Sequence, residues 1–119
     1  DDVEIIKNKL IELSDKNINL IITTGGTGFS KRDVTPEATI AVCDRMAYGI
    51  SEAIRSYSLT ITKRAMLSRG VSGIRKNSVI INLPGSLKAV TESLDVFMDI
   101  IGHGIGVLVG NDKECGNIK

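Results

Sequence analysis

The chain has 119 residues, 42% hydrophobic and 24% charged, with a formal net charge of +1. That length and apolar content suit one domain with a modest core, the balanced charge excludes the basic footprint of a nucleic-acid binder, and no apolar run reaches transmembrane length. Aromatics are only 3%, so aliphatic side chains must fill the core, while Cys43, Cys115 and the single His103 form no metal-ligand pattern and read as side chains of a reduced, cytoplasmic protein.

Val3, Ile6, Leu10 and Leu13 recur at helical spacing, with Lys7, Lys9 and Glu12 between them. They predict an amphipathic helix over residues 2–14. Asp1 is the expected cap, with Glu4 as its capping-box partner. A parallel α/β domain places a strand before its first helix, so an N-terminal piece is expected to be missing here. "INLIITT", residues 18–24, is β-branched and nearly all apolar. It predicts a strand buried on both faces, as in a parallel sheet. Thr35 followed by Pro36 predicts a helix with Thr35 as cap and Pro36 in its first turn, running to about Met46.

Gly49 predicts a bend, after which Ile50, Ala53, Ile54 and Tyr57 continue a helical stripe. Two extended segments follow around Gly70, Gly73 and a turn at Lys76-Asn77. "SVIINL", residues 78–83, predicts a second buried strand. Pro84, Gly85 and Ser86 end it and open a helix whose face is Leu87, Val90, Leu94, Phe97 and Ile101. Gly102, Gly104 and Gly106 leave its end open. Residues 111–119 are a polar tail, so the domain is expected over 1–110. The alternation of helix and strand predicts an α/β fold with a mostly parallel sheet.

In such sheets ligands bind beyond the carboxyl ends of the strands. Two loops lie there, "TGGTG" (24–28) and "NLPGS" (82–86). Gly25, Gly26 and Gly28 let the backbone take positive φ and turn successive N–H groups toward an anion, and the following helix adds its positive end. Phosphate is the natural guest, and a ligand-free tight turn is the alternative. On the phosphate reading, Gly26→Val blocks the ligand and spares the fold. The spacing matches neither the P-loop nor the dinucleotide fingerprint. Asp33 beside a phosphate nest implies a mediating Mg²⁺, with a turn aspartate as the alternative. Arg32 is a direct phosphate partner on the first reading. Ser86 reads as a helix cap, an anion donor, or both. Ser68, Arg69, Ser72 and Arg75 read first as solvent-exposed, then as anion or pterin contacts or as subunit contacts.

"TTGGTGFSKRDVTPEAT" (23–39), "AMLSRGVSGIRKNSVIINLPGS" (65–86) and "DDVEIIKNKL" (1–10) closely resemble the MogA/MoaB family, and the resemblance extends to about Ile105. That family includes bacterial molybdopterin adenylyltransferases and the gephyrin G domain. The resemblance implies a three-layer α/β sandwich that begins with a strand absent here, and assembly as trimers or, in some members, hexamers. It implies a reaction in which molybdopterin is adenylylated with ATP and Mg²⁺, releasing pyrophosphate, ahead of metal insertion by a MoeA-type protein. Matched position by position, Asp33 and Asp1 correspond to the family's catalytic, metal-associated aspartates. Gly25, Gly26, Thr27 and Gly28 correspond to its phosphate and pterin loop, Ser68 to the serine of its "LSR" motif, and Pro84, Gly85 and Ser86 to its second ligand loop. CinA-type and MoeA-type relatives differ in the "GGTGFSKRD" stretch. A non-catalytic molybdopterin-binding or trimeric scaffold domain is the alternative function.

Overall fold

The first helix is capped by Asp2, whose carboxylate accepts from the backbone N–H of Glu4 at 2.8 Å and of Ile5 at 3.4 Å. A computed structural model describes residues 2–110, so Asp1 and the tail at 111–119 lie outside the described residues. Helix α1 spans Val3–Asp15 and strand β1 spans Leu20–Thr24. Helix α2 is Thr35–Val42, β2 is Arg45–Met46, and α3 is Tyr48–Leu59. A 3-10 turn at Lys63–Leu67 precedes β3 (Ser72–Arg75), β4 (Ser78–Leu83) and α4 (Leu87–Val109).

The sheet order is β1-β4-β3-β2. β1 and β4 run parallel, from Leu20 opposite Val79 to Thr24 opposite Leu83. β3 pairs antiparallel with β4, and β2 antiparallel with β3. Among the described residues the sheet is therefore mixed rather than mostly parallel. The cause is the two-residue turn Lys76-Asn77, with Lys76 at φ 52°. So short a connection can only fold a strand back antiparallel on its predecessor. The Lys76 N–H donates to the Asp44 carboxylate at 2.7 Å, which steadies the turn.

The same hairpin shortens α2. Cys43 is extended rather than helical. Beyond it the Asp44 N–H donates to the Ile74 carbonyl at 2.8 Å, and the Ala47 N–H donates to the Ser72 carbonyl at 2.9 Å. Residues expected to finish the helix serve as an edge strand instead. Thr35 is also not a cap. It lies inside the helix, is buried, and donates its N–H to the Gly26 carbonyl at 3.1 Å.

β4 is buried along its whole length. Val79, Ile81 and Leu83 pack with Ile54, Phe97 and Ile101 of α3 and α4. Ile80 packs on the other face with Ile21 and with Leu10 and Val42 of α1 and α2. The three layers follow from this alternation. α4 continues through Gly102, Gly104 and Gly106 because Ile101 is core and Ile105 and Leu108 extend the same packed stripe, so burial overrides glycine's low helix propensity. It stops at Gly110, φ 86°. Ser72 and Arg75 are not solvent-exposed arms. The buried Ser72 hydroxyl donates to the Ala47 carbonyl at 2.6 Å, and Arg75 donates to Ser14 Oγ at 2.9 Å and to the Val42 carbonyl at 3.2 Å. No helix among the described residues is long and apolar enough to cross a membrane.

Candidate functional site

Because β1 and β4 are parallel neighbours, their following loops leave the sheet side by side. The Gly25 N–H donates to the Leu83 carbonyl at 3.0 Å. A Cβ on Gly85 would lie 3.4 Å from Gly25 Cα, so the two loops touch. Gly25 and Gly26 have φ of 86° and 70°, the left-handed region that favours glycine. A Cβ on Gly26 would stand 2.2 Å from Thr35 Oγ1. Gly26 is therefore needed for the loop to close on α2, and Gly26→Val would strain the fold rather than spare it.

A cavity of about 620 Å³ opens at this end. Thr27, Gly28, Ser68, Pro84 and Ser86 all line it. Gly25 and Gly26 face a separate groove of about 480 Å³, walled by α1 residues such as Ile5, Lys9 and Leu13. Ser86 also caps α4, accepting from the Ala89 N–H at 3.2 Å. Arg64 and Lys88 line the cavity as well. Neither enters an ion pair among the described residues. Sequence reasoning missed both. Each is a basic residue one or two positions outside a quoted motif, which is a weak signal.

Asp33 does not line the cavity but stands next to Gly28, which does. One carboxylate oxygen accepts from the Ser30 N–H at 3.0 Å, and the Asp33 N–H returns a bond to the Ser30 carbonyl at 2.9 Å. The same oxygen would be 2.9 Å from a Cβ on Gly28, which lines the cavity. Asp33 is thus both a turn aspartate and a carboxylate beside the cavity wall. No group of three or more potential ligands is gathered for a metal among the described residues. A single carboxylate such as that of Asp33 fits a cation that keeps several waters and takes few protein oxygens. Asp1 lies outside the described residues.

Two further residues shape the site. Asn82, buried at the end of β4, accepts from the Val71 N–H at 3.1 Å and donates to Thr23 Oγ1 and Thr39 Oγ1, each at 3.0 Å. Arg69 pairs with Glu37 at 2.6 Å. The hydrogen bond from Arg69 holds the Glu37 carboxyl below the usual glutamate range, and Glu37 in turn raises the Arg69 guanidinium.

Helices on both faces of an open sheet, with loops converging at the carboxyl ends of two neighbouring parallel strands, define an α/β domain of the kind that binds ligands at that end. Comparison with known proteins sharpens the class. The chain belongs to the family described as the probable molybdopterin binding domain, which matches residues 1–103. It is 45% identical to gephyrin of Dictyostelium discoideum over 96% of this chain and 16% of that protein. It is 42% identical to the molybdopterin adenylyltransferase of Helicobacter pylori over 93% of this chain, and spans 64% of that protein's length. The solved Mog protein of molybdopterin biosynthesis from Mycobacterium ulcerans superposes with a TM-score of 0.85 at 39% identity, covering 88% of this chain and 69% of that one.

Proposed function

We propose that this domain adenylylates molybdopterin with ATP and Mg²⁺, a step of molybdenum cofactor biosynthesis. The observation that carries the reading is the cavity in which Thr27, Gly28, Ser68, Pro84 and Ser86 meet Arg64 and Lys88. Hydroxyls, a backbone with little side-chain cover and two cations suit a ligand with a polar ring system and phosphates. The adenylyltransferase relative supports the same substrate class.

In the proposed reaction an oxygen of molybdopterin's terminal phosphate attacks the α-phosphorus of ATP. The bond from that phosphorus to the β-phosphate oxygen breaks, and pyrophosphate leaves. The chain's task is to place the two phosphates in line and to offset their charge. Arg64 and Lys88 attract the phosphates. Ser68 and Ser86 offer hydroxyl donors, and the glycine loop allows close approach. Asp33, with Asp1, would hold Mg²⁺, which supplies charge neutralisation when bound.

Assembly as a trimer or hexamer, hand-over of the product to a MoeA-type metal-insertion protein, a cytoplasmic setting and a functional domain over 1–110 with a tail at 111–119 complete the proposal. The second reading is a non-catalytic molybdopterin-binding or scaffold domain, and the Asp33–Ser30 turn favours it, since a turn aspartate needs no metal. Pyrophosphate release from ATP separates the readings. Release only when molybdopterin is present supports adenylylation. Tight molybdopterin binding with no release supports the second reading, and nucleotide turnover without pterin would place the chain with CinA-type hydrolases.

A further inference from the structure

Arg69 is not part of the cavity wall, yet it holds the segment that carries Thr27 and Gly28 into that wall and the loop that follows. Its N–H donates to the Thr27 carbonyl at 2.7 Å, and its Nε donates to the Gly28 carbonyl at 2.7 Å. Its Nη2 donates to the Asp33 carbonyl at 2.5 Å, and its Nη1 to the Glu37 carboxylate at 2.6 Å. A single guanidinium therefore spans from the cavity wall, across the 28–33 loop, to the first turn of α2. Ser30 and Asp33 close a turn, the Arg32 N–H donates to Ser30 Oγ at 3.2 Å, and Phe29 is 69% exposed. The arm that carries Arg69 is itself held from behind. Arg55 donates to the Ser68 carbonyl at 3.2 Å and to the Gly70 carbonyl at 2.6 Å. Only a planar fork of donors reaches two carbonyls and a carboxylate at once, and a lysine ammonium has the charge without that geometry.

We propose that Arg69 is the positioning residue of the adenylylation site: it fixes the 28–33 loop so that Thr27 and Gly28 face the cavity and Asp33 stands beside Gly28. The inference rests on the function proposed above for that cavity. Glu37 acts through Arg69, orienting the guanidinium without touching the loop.

The test compares Arg69→Lys and Glu37→Gln with the unchanged chain by amide hydrogen exchange, molybdopterin titration and steady-state adenylylation. In Arg69→Lys, exchange at residues 27–33 is expected to accelerate by about tenfold or more, the equivalent of one lost charge-assisted hydrogen bond, while β4 and α4 keep their protection. KM for molybdopterin is expected to rise by about the same factor. Glu37→Gln keeps the bonds to Gly28 and Asp33, so a local acceleration of only about threefold is expected. In Arg69→Ala, guanidinium chloride at low concentration is expected to restore part of the affinity, and potassium chloride of equal ionic strength is not. Acceleration spread evenly through β4 and α4 with a lowered melting temperature would make Arg69 a general fold residue and overturn the proposal. So would unchanged loop exchange with unchanged KM. Were Arg69→Lys not to fold, Glu37→Gln decides: acceleration confined to 27–33 upholds the proposal, and any other pattern overturns it. Should the unchanged chain not bind molybdopterin, the functional reading falls, while the exchange pattern still decides whether Arg69 holds the loop.

Discussion

Asp33 closes a turn, and one substitution separates that turn from the metal-holding role proposed for it. Its carboxylate closes a turn on the Ser30 N–H and lies beside Gly28 at the cavity wall. Asn keeps an oxygen for the Ser30 bond but loses the charge that would hold Mg²⁺. In Asp33→Asn the fold and molybdopterin affinity should persist, and AMP transfer in a single turnover should fall by about a hundredfold or more, the usual cost of one preorganised electrostatic contact. Near-normal transfer at ordinary Mg²⁺ would leave Asp33 as a turn residue only. At this scale the sequence offered Asp33 both as a metal carboxylate and as a turn residue, and the structure shows the turn. Arg69 was readable as an exposed arm residue or as an anion, pterin or subunit contact, but not as a clamp on the 28–33 loop. Its partners Gly28, Asp33 and Glu37 lie 41, 36 and 32 positions away, a separation that no local pattern encodes.

Elements whose faces are wholly buried were legible, and those decided by a neighbour were not. β4 spans the predicted residues 78–83, where β-branched Val79, Ile80 and Ile81 and then Leu83 are all buried. α2 ended early because β3 offered the residues from Asp44 to Ala47 backbone partners, and β3 runs antiparallel because Lys76 accepts a positive φ that is rare outside glycine. Asn82 is the hinge between these elements. It joins β4 to β1 through Thr23, to α2 through Thr39 and to the arm before β3 through Val71. Asn82→Ala would leave the Val71 N–H and two threonine hydroxyls short of partners in a buried site. A loss of about 2–4 kcal/mol in denaturant-induced unfolding is expected, because unsatisfied buried groups cost about 1–3 kcal/mol each and part of that cost relaxes. Asn82→Asp should not restore it, since the lost amide donors face threonine oxygens. A change under about 0.5 kcal/mol, the range of ordinary surface substitutions, would show that the network is dispensable.

Two properties belong to the whole molecule. The first is its response to acid. Lys76 holds the Asp15 carboxyl below its ordinary value and Lys16 does the same for Glu12, as Arg69 does for Glu37. A carboxyl whose pKa is lower when folded than when unfolded adds stability above the unfolded value. That stability is lost as pH falls through the folded value. The melting temperature should therefore hold near neutrality and decline below about pH 4.5, the region where free carboxyls titrate. Glu37→Gln should flatten part of that decline, and an unchanged acid limb would remove Glu37 from the account. The three carboxyls are largely exposed, so salt should shrink the effect.

The second is assembly, and it is argued from what the fold leaves uncovered. On the outer side of the α3/α4 layer a shallow groove of about 350 Å³ is walled by Ala47, Gly49, Ile50, Ala53, Val96, Phe97 and Ile100, with no charged side chain among them. Ile100 is 51% exposed. A 119-residue chain with few aromatics has a small core, and burial of such a surface between copies would add to it. Trimers are what the family resemblance implies, and this face is the one proposed to meet its copies. Light scattering of the 12.8 kDa chain should return about three times that mass at micromolar concentration. Ile100→Lys places a charge on the groove wall and should return the monomer mass with an unchanged helical spectrum. If the unchanged chain is itself monomeric, the trimer is wrong for this domain. If Ile100→Lys remains a trimer, the copies meet through another face, and the groove needs a different occupant.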